Sequence, residues 1–386
     1  MSRQPHPESS VSLLTRRDFL AATLLAPALG RLQPVPGGRL AGIIPFGTPG
    51  APVAPLGQLL GNSLDARQFS DLSSLAPDSL VTATNRFFVR TAAAPSLPGA
   101  DGWRLAIGGE GQTTATLDMR ALEALSRATG RYLVECAGNA DPANFGLMSV
   151  ADWEGVPLPA VVDRLSLPPS RGRLLVSGFD DESFRSRTSI PGASWIFPRE
   201  DLQHALLALR MNAAPLAPHH GAPVRLIVPG WYGCACIKWV TRIEVVPDAA
   251  PPTPQMREFA GRTHQVGPPP LARDYTPAVI DTAAAPVRVE KWITEGRVFY
   301  CVVGIVWGGA KPTNALAIRF KASQPWTPVE NCAVPASTLT WSLWTHTWRP
   351  EAPGRYEIAL KVTDPSIRTR RLDVFYYVRE VIIEET

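Results

Sequence analysis

Cysteine is scarce in this chain. There are five in 386 residues, at positions 136, 234, 236, 301 and 332. That number is odd and the spacing is not that of a disulfide framework, so cross-links are excluded as the basis of the fold and at least one thiol has no partner within the chain. Charge is also thin. Only 19% of residues are charged, and the net charge of +4 is spread along the sequence rather than gathered into a basic run, which argues against nucleic acid or an anionic membrane surface as the partner. No apolar run is long enough to span a bilayer. Internal repeats, low-complexity tracts and a Cys-x-x-Cys-His haem signature are all missing. What is abundant is proline and glycine, 39 and 30 residues, which predicts many turns and irregular or β structure rather than helical bundles. With 45% hydrophobic residues, a chain of this length is expected to build two or three domains.

The N-terminal stretch SLLTRRDFLAATLLAPALG sets Arg16 and Arg17 ahead of Phe19, Leu20 and a mild apolar run. It resembles the twin-arginine signal that sends folded proteins across the bacterial inner membrane, and so implies a periplasmic protein that takes up a cofactor before export. A basic N-terminal helix with no targeting role is the alternative. Ala26-Pro27-Ala28 offers a small-residue cleavage pattern.

Periodicity and punctuation divide the chain into a signal and linker over residues 1–45, an α+β domain over 46–248, a proline-rich linker over 249–270 and an all-β unit over 271–386. Residues 31–80 read as extended chain packed on the first domain. Helices are expected over TLDMRALEALSRATG, near Leu158 to Leu165 and over REDLQHALLALRMN, and strands over RYLVE, RLLVSGF, APVRLIVPG and CIKWVTRIEVV. Beyond residue 271 the alternating strands suggest an immunoglobulin-like sandwich.

The chemistry centres on RYLVECAGNADPANFG, where an apolar strand delivers Cys136 directly to Ala137 and Gly138. A lone cysteine in apolar surroundings is usually filler. Here the small residues after it let a bulky group approach the sulfur, and cations without acidic neighbours in sequence follow later, Arg225 in GAPVRLIVPG and Lys238 in GCACIKWV. On a strand, Cys234, Cys236 and Lys238 would share one face, and the turn from Gly230 to Gly233 would let backbone approach a ligand. This set suits a large anionic cofactor held by cations and backbone amides. A zinc site on Cys234, Cys236, His219 and His220 competes, although adjacent histidines on extended chain point opposite ways. A cysteine hydrolase would need a positioned histidine that nothing in the sequence supplies.

Taken in order, ECAGN, DWEGVPL, RTSIP, MNAAPLAPHHGAPVRLIVPG and GWYGCACIKWVTRIEV resemble the molybdenum domain of the sulfite oxidase family, and the C-terminal strands resemble that family's dimerisation domain. The resemblance implies a molybdopterin-binding domain of mixed α/β type followed by the immunoglobulin-like sandwich. It implies that the Cys136 thiolate ligates molybdenum beside the dithiolene of a single molybdopterin, sulfur being the donor a thiophilic metal prefers. It further implies that Arg90 and Lys238 bind the pterin and its phosphate, that His220 and Arg225 stand in the same wall, and that Asp180 and Ser189 line the pocket. Asn139 would fix the loop, with Trp153 packed beside it. The implied reaction is two-electron oxygen-atom transfer, oxidation of sulfite or a related small sulfur compound, with electrons passed to an external carrier such as a c-type cytochrome, by a homodimer. An S- or N-oxide reductase on the same cofactor, and a non-catalytic exported binding or assembly protein, are the alternatives.

Three departures from the family bear on substrate. Ala140 and Asp141 stand where a typical member carries arginine after the CAGN motif, Thr91 and Ala92 replace its Asn-His, and its tyrosine after the Lys-Trp pair has no counterpart in PDAAPPTPQMREF. A carboxylate in the substrate pocket at Asp141 would repel an oxyanion by about 1 to 4 kcal/mol at contact range, so weak sulfite turnover is expected.

Overall fold

Strands dominate, as the proline and glycine content predicts. The structure, a computed structural model, describes residues 35–47, 55–62, 65–92, 99–109, 111–141, 145–163, 172–179 and 193–386. Among these, the only α-helices are the five-residue segments Met119–Glu123, Leu158–Val162 and Pro254–Glu258. No helix of the described residues is long and apolar enough to cross a membrane.

Two sheets carry the N-terminal half. In one, Ala128–Glu135 pairs antiparallel with Met148–Pro157, which pairs in turn with Leu206–Met211. In the other, Val240–Val246 lies between Arg173–Gly178 and Arg104–Gly109, antiparallel to the first and parallel to the second. A small third sheet holds Leu60–Asn62, Asp65–Gln68 and Val89–Ala92. Two more sheets build the C-terminal half. The strands Ala283–Thr294, Arg297–Trp307 and Trp341–Trp348 form the centre of one, and Leu316–Arg319, Gly354–Val362 and Arg379–Ile383 the other. These two sheets meet through aromatic rings: Trp348 stacks on Phe320 at 4.0 Å and meets Tyr356 edge-on at 4.8 Å. Residues Arg39–Ile44 do not lie on the N-terminal sheets; they pair with Ala283–Thr294 in the C-terminal half.

Several expected elements differ. The helix expected over REDLQHALLALRMN is a 3-10 turn, Arg199–Leu202, followed by the strand Leu206–Met211. That strand has neighbours on both sides, Met148–Pro157 and Arg225–Ile227, and five of its six residues are buried. An apolar run buried on both faces has no alternation to distinguish it from a core helix. Over TLDMRALEALSRATG the helix contracts to Met119–Glu123, started by the Asp118 side chain accepting the Ala121 N–H at 2.8 Å. The residues before and after it are strands. Cys234, Cys236 and Lys238 are not on a strand: residues 233–239 form consecutive turns and bends, and the strand begins at Val240. The stretch over residues 249–270 is ordered packing rather than open linker, with Met256, Ala260 and Thr263 buried.

Candidate functional site

Cys136 emerges from the end of Ala128–Glu135, half-buried, at the first residue past the sheet. Its N–H donates to the Leu147 carbonyl at 2.9 Å, and its sulfur accepts the Gly138 N–H at 3.4 Å. Asn139 closes the loop. Its N–H donates to the Cys136 carbonyl at 2.9 Å, and its side-chain oxygen accepts the Leu147 N–H at 3.1 Å. Four consecutive residues are thereby held with the sulfur aimed out of the strand end. Burial pushes the thiol pKa up, while the Gly138 N–H and the Arg90 guanidinium pull the other way; a metal ion would displace the proton. Asp141 follows on the same loop, its carbonyl accepting the Phe145 N–H at 2.8 Å.

The cations form a wall beside it. Arg90 lies on Val89–Ala92, paired across the strands with Arg67. Burial lowers its pKa and the charge of Arg67 lowers it further. Lys238 reaches Arg90 directly, donating to its carbonyl at 3.2 Å and to the His219 carbonyl at 2.9 Å. Gly221, at φ +105, makes that approach possible: a side chain there would sit 3.0 Å from the Lys238 side chain. His220 is buried, its Nε2 3.3 Å from the Thr84 carbonyl. Burial, then His219, Lys238 and Arg225, push its pKa down to about 2, so the ring is neutral and donates that bond. Arg225 is 3% exposed and lies over the Trp153 ring at 5.5 Å. Among the described residues its hydrogen bonding is a long contact from Nη1 to the His220 carbonyl, 3.4 Å, and Nε has no partner. No carboxylate pairs with it among the described residues.

A buried guanidinium with an orphaned donor and no counter-ion is costly unless an anion completes it. The residues present therefore fit an anionic cofactor with a soft metal: a sulfur donor at one end, and Arg90, Lys238 and Arg225 along the wall. Asp180 and Ser189, expected to line the pocket, lie outside the described residues. The zinc set does not assemble. Cys236 turns toward Val228, whose N–H lies 3.5 Å from its sulfur, and no group of three or more metal-capable side chains converges among the described residues.

Two features escaped the reading of the sequence. The first is Glu135, fully buried beside Cys136 and bound by Arg370 through two bonds of 2.7 Å, from Nη1 to Oε1 and from Nη2 to Oε2. Trp307 donates to Oε2 at 2.9 Å, so the C-terminal half grips the strand that carries the cysteine. Burial works against the Arg370 charge, but Glu135 more than restores it and its pKa stands well above the ordinary value. A lone acid inside the apolar run YLVEC was the available signal. The second is Arg262, from the stretch read as linker. A side chain added at Gly138 would lie 3.1 Å from its Nη1 and 3.7 Å from the Cys136 sulfur, which places the guanidinium against the cysteine loop.

Comparison with known proteins agrees with this chemistry. Residues 92–253 match the family described as oxidoreductase molybdopterin binding domain. Over 320 residues the chain is 25% identical to sulfite oxidase of Gallus gallus, covering 76% of this chain and 69% of that protein. Against mitochondrial sulfite oxidase of Homo sapiens the identity is 25% over 296 residues, 70% of this chain and 53% of that one. In fold it is similar to the crystal structure of the sulfane dehydrogenase SoxCD from Paracoccus pantotrophus, with a TM-score of 0.63 at 18% identity, covering 85% of this chain and 89% of that chain.

Proposed function

Since this chain is a molybdopterin-dependent oxidoreductase of the sulfite oxidase family, we propose that it oxidises sulfite or a related small sulfur compound by oxygen-atom transfer and passes the electrons to an external carrier such as a c-type cytochrome. The observation that carries this is the presence, with a positioned thiol, Cys136, of a buried guanidinium, Arg225, that has no counter-ion among the described residues. When bound, the molybdenum cofactor supplies the two-electron oxygen-atom chemistry that no side chain performs. The protein supplies position and charge. Cys136 offers the sulfur ligand; burial raises its thiol pKa, and the Gly138 N–H and Arg90 offset only part of that rise. Arg225, Lys238 and Arg90 hold the anionic cofactor, and neutral His220 packs the wall against Thr84 without adding a fourth charge.

The same reading places the protein in the periplasm, exported folded through Arg16 and Arg17, and takes the C-terminal sheets as an immunoglobulin-like unit through which two copies associate. Protein made in a molybdopterin-competent host should contain about one molybdenum per chain and reduce an artificial acceptor when given sulfite. Cys136→Ser should lose the visible charge-transfer band and the turnover together. Stoichiometric zinc without molybdenum would sink the reading, and a loaded enzyme that reduces sulfoxides but leaves sulfite untouched would reverse its direction.

A further inference from the structure

We propose that Arg262 is the substrate-anion residue of this site, holding a small sulfur oxyanion beside the Cys136 sulfur from outside the cysteine loop. The inference rests on the oxygen-transfer reading above and narrows it to a class of substrate. In the loop itself, the residues after Asn139 are Ala140 and Asp141, neither of which can attract an anion. The cation comes instead from the segment joining the two halves of the molecule. Gly138 lacks the side chain that would block it, and Arg262 Nη1 approaches to 3.1 Å of the position that a Cβ there would take.

The segment is built to hold that guanidinium in place. Thr253 caps Pro254–Glu258 by accepting the Met256 N–H at 3.2 Å and donates its own hydroxyl proton to the Ser194 carbonyl at 2.8 Å. Gln255 donates to the Cys234 carbonyl, which ties the helix to the turns beside Cys136. Ala260–Arg262 then forms a single 3-10 turn with Ala260 and Thr263 buried on either side, and Thr263 donates its hydroxyl to the Phe259 carbonyl at 2.8 Å. The side chain of Arg262 is left exposed, its guanidinium 5.7 Å from the Phe259 ring centre, and it makes no ion pair among the described residues. Its charge is felt at both Cys136 and Arg90, while Asp65 is the acid that acts on Arg90. Arg90, Arg67 and Arg262 thus raise the local positive potential that an oxyanion would relieve.

The test uses the molybdenum-loaded full chain and inorganic sulfate as the anionic probe, with dimethyl sulfoxide as a neutral sulfur–oxygen probe, both measured by calorimetry. Arg262→Gln should weaken sulfate binding about tenfold at low salt, the loss of one charge-assisted contact, and raise the KM for sulfite in step while kcat changes little. Arg262→Lys should recover binding in part, and dimethyl sulfoxide affinity, molybdenum content and the visible spectrum should stay at wild-type values. Sulfate affinity in Arg262→Gln within twofold of wild type, with metal and spectrum intact, overturns the assignment, as does a wild-type holoenzyme that binds no sulfate. Absence of molybdenum from the wild-type protein would overturn the parent reading, and it registers in a different measurement.

Discussion

Replacing Glu135 by glutamine should destabilise the protein by about 3 to 5 kcal/mol, the cost of breaking a buried ion pair from one side. The geometry explains why an isosteric change is so damaging. Oε1 accepts from Arg370 Nη1 at 2.7 Å and lies 3.5 Å from the Asn139 amide nitrogen, and Oε2 accepts from Arg370 Nη2 at 2.7 Å and Trp307 Nε1 at 2.9 Å. Every partner is a donor. A glutamine amide must turn its NH2 toward one of the Arg370 nitrogens whichever way it flips, and the buried guanidinium keeps its charge with no carboxylate to balance it, only the remaining amide oxygen and the Tyr377 hydroxyl, 2.8 Å away, accepting from it. Urea denaturation followed by tryptophan fluorescence, with Trp307 among the reporters, measures the loss. Because much of it comes from the stranded cation, adding Arg370→Met should return part of the stability, giving a double variant better than Glu135→Gln alone. Glu135→Gln within about 1 kcal/mol of wild type, the level of a surface pair, would refute the reasoning, and so would strict additivity in the double variant.

Stability of the metal-free protein should fall with acid because of His220. Its folded pKa of about 2 lies below the ordinary 6.5, so below pH 6.5 the unfolded chain takes up a proton that the native ring refuses. Going from pH 7 to pH 5 should then cost about 2 kcal/mol that His220→Gln does not lose, measurable as a difference in urea midpoints. Asp141→Arg should lower the KM for sulfite by about fivefold at low salt, the ~1 kcal/mol of one contact-range pair in water-like surroundings, with the gain shrinking as salt rises; no change at low salt would show that Asp141 does not face the substrate. Replacing Arg16 and Arg17 together by lysine should trap loaded protein in the cytoplasm, and an unchanged periplasmic yield on fractionation would rule out that route.

What was legible in the sequence was local. RYLVE is a short apolar run that ends at Cys136 and small residues, so both the strand and the place of Cys136 at its end could be read from adjacent positions. Arg225 and Lys238 stood out as cations in apolar stretches, and the structure brings both to the wall. Leu206–Met211 was misread because burial on both faces erases the alternation that marks a strand. The turns at Cys234 and Cys236 were misread because apolar content was taken for extension, although Gly233 precedes them. Glu135 and Arg370 are 235 positions apart, and no local pattern links residues at that separation. Arg262 was hidden by prolines taken as linker punctuation. Thr253-Pro254 is equally a helix start, a capping hydroxyl followed by proline at the first helical position, and the structure uses it as one.

The two sets of cations differ in burial, and the difference matches what each must hold. Arg225 is sealed over Trp153, where salt does not screen it and an unpaired charge is expensive; an anion bound there is held for the life of the folded protein, as a cofactor should be. Arg262 is exposed at the edge of the cysteine loop, where solvent and ions weaken its pull to the scale of a single screened contact. A substrate must arrive and its product must leave, so attraction on that scale serves turnover better than a buried pair would. Moving the substrate cation from the loop to the joining segment therefore separates two jobs. The loop from Cys136 to Asn139 needs only to present sulfur to the metal, while the packing of Thr253, Met256 and Thr263 sets how an anion is met. Substitutions in that packing should shift the KM for an anionic substrate without disturbing the metal, because no residue of the segment takes part in holding it.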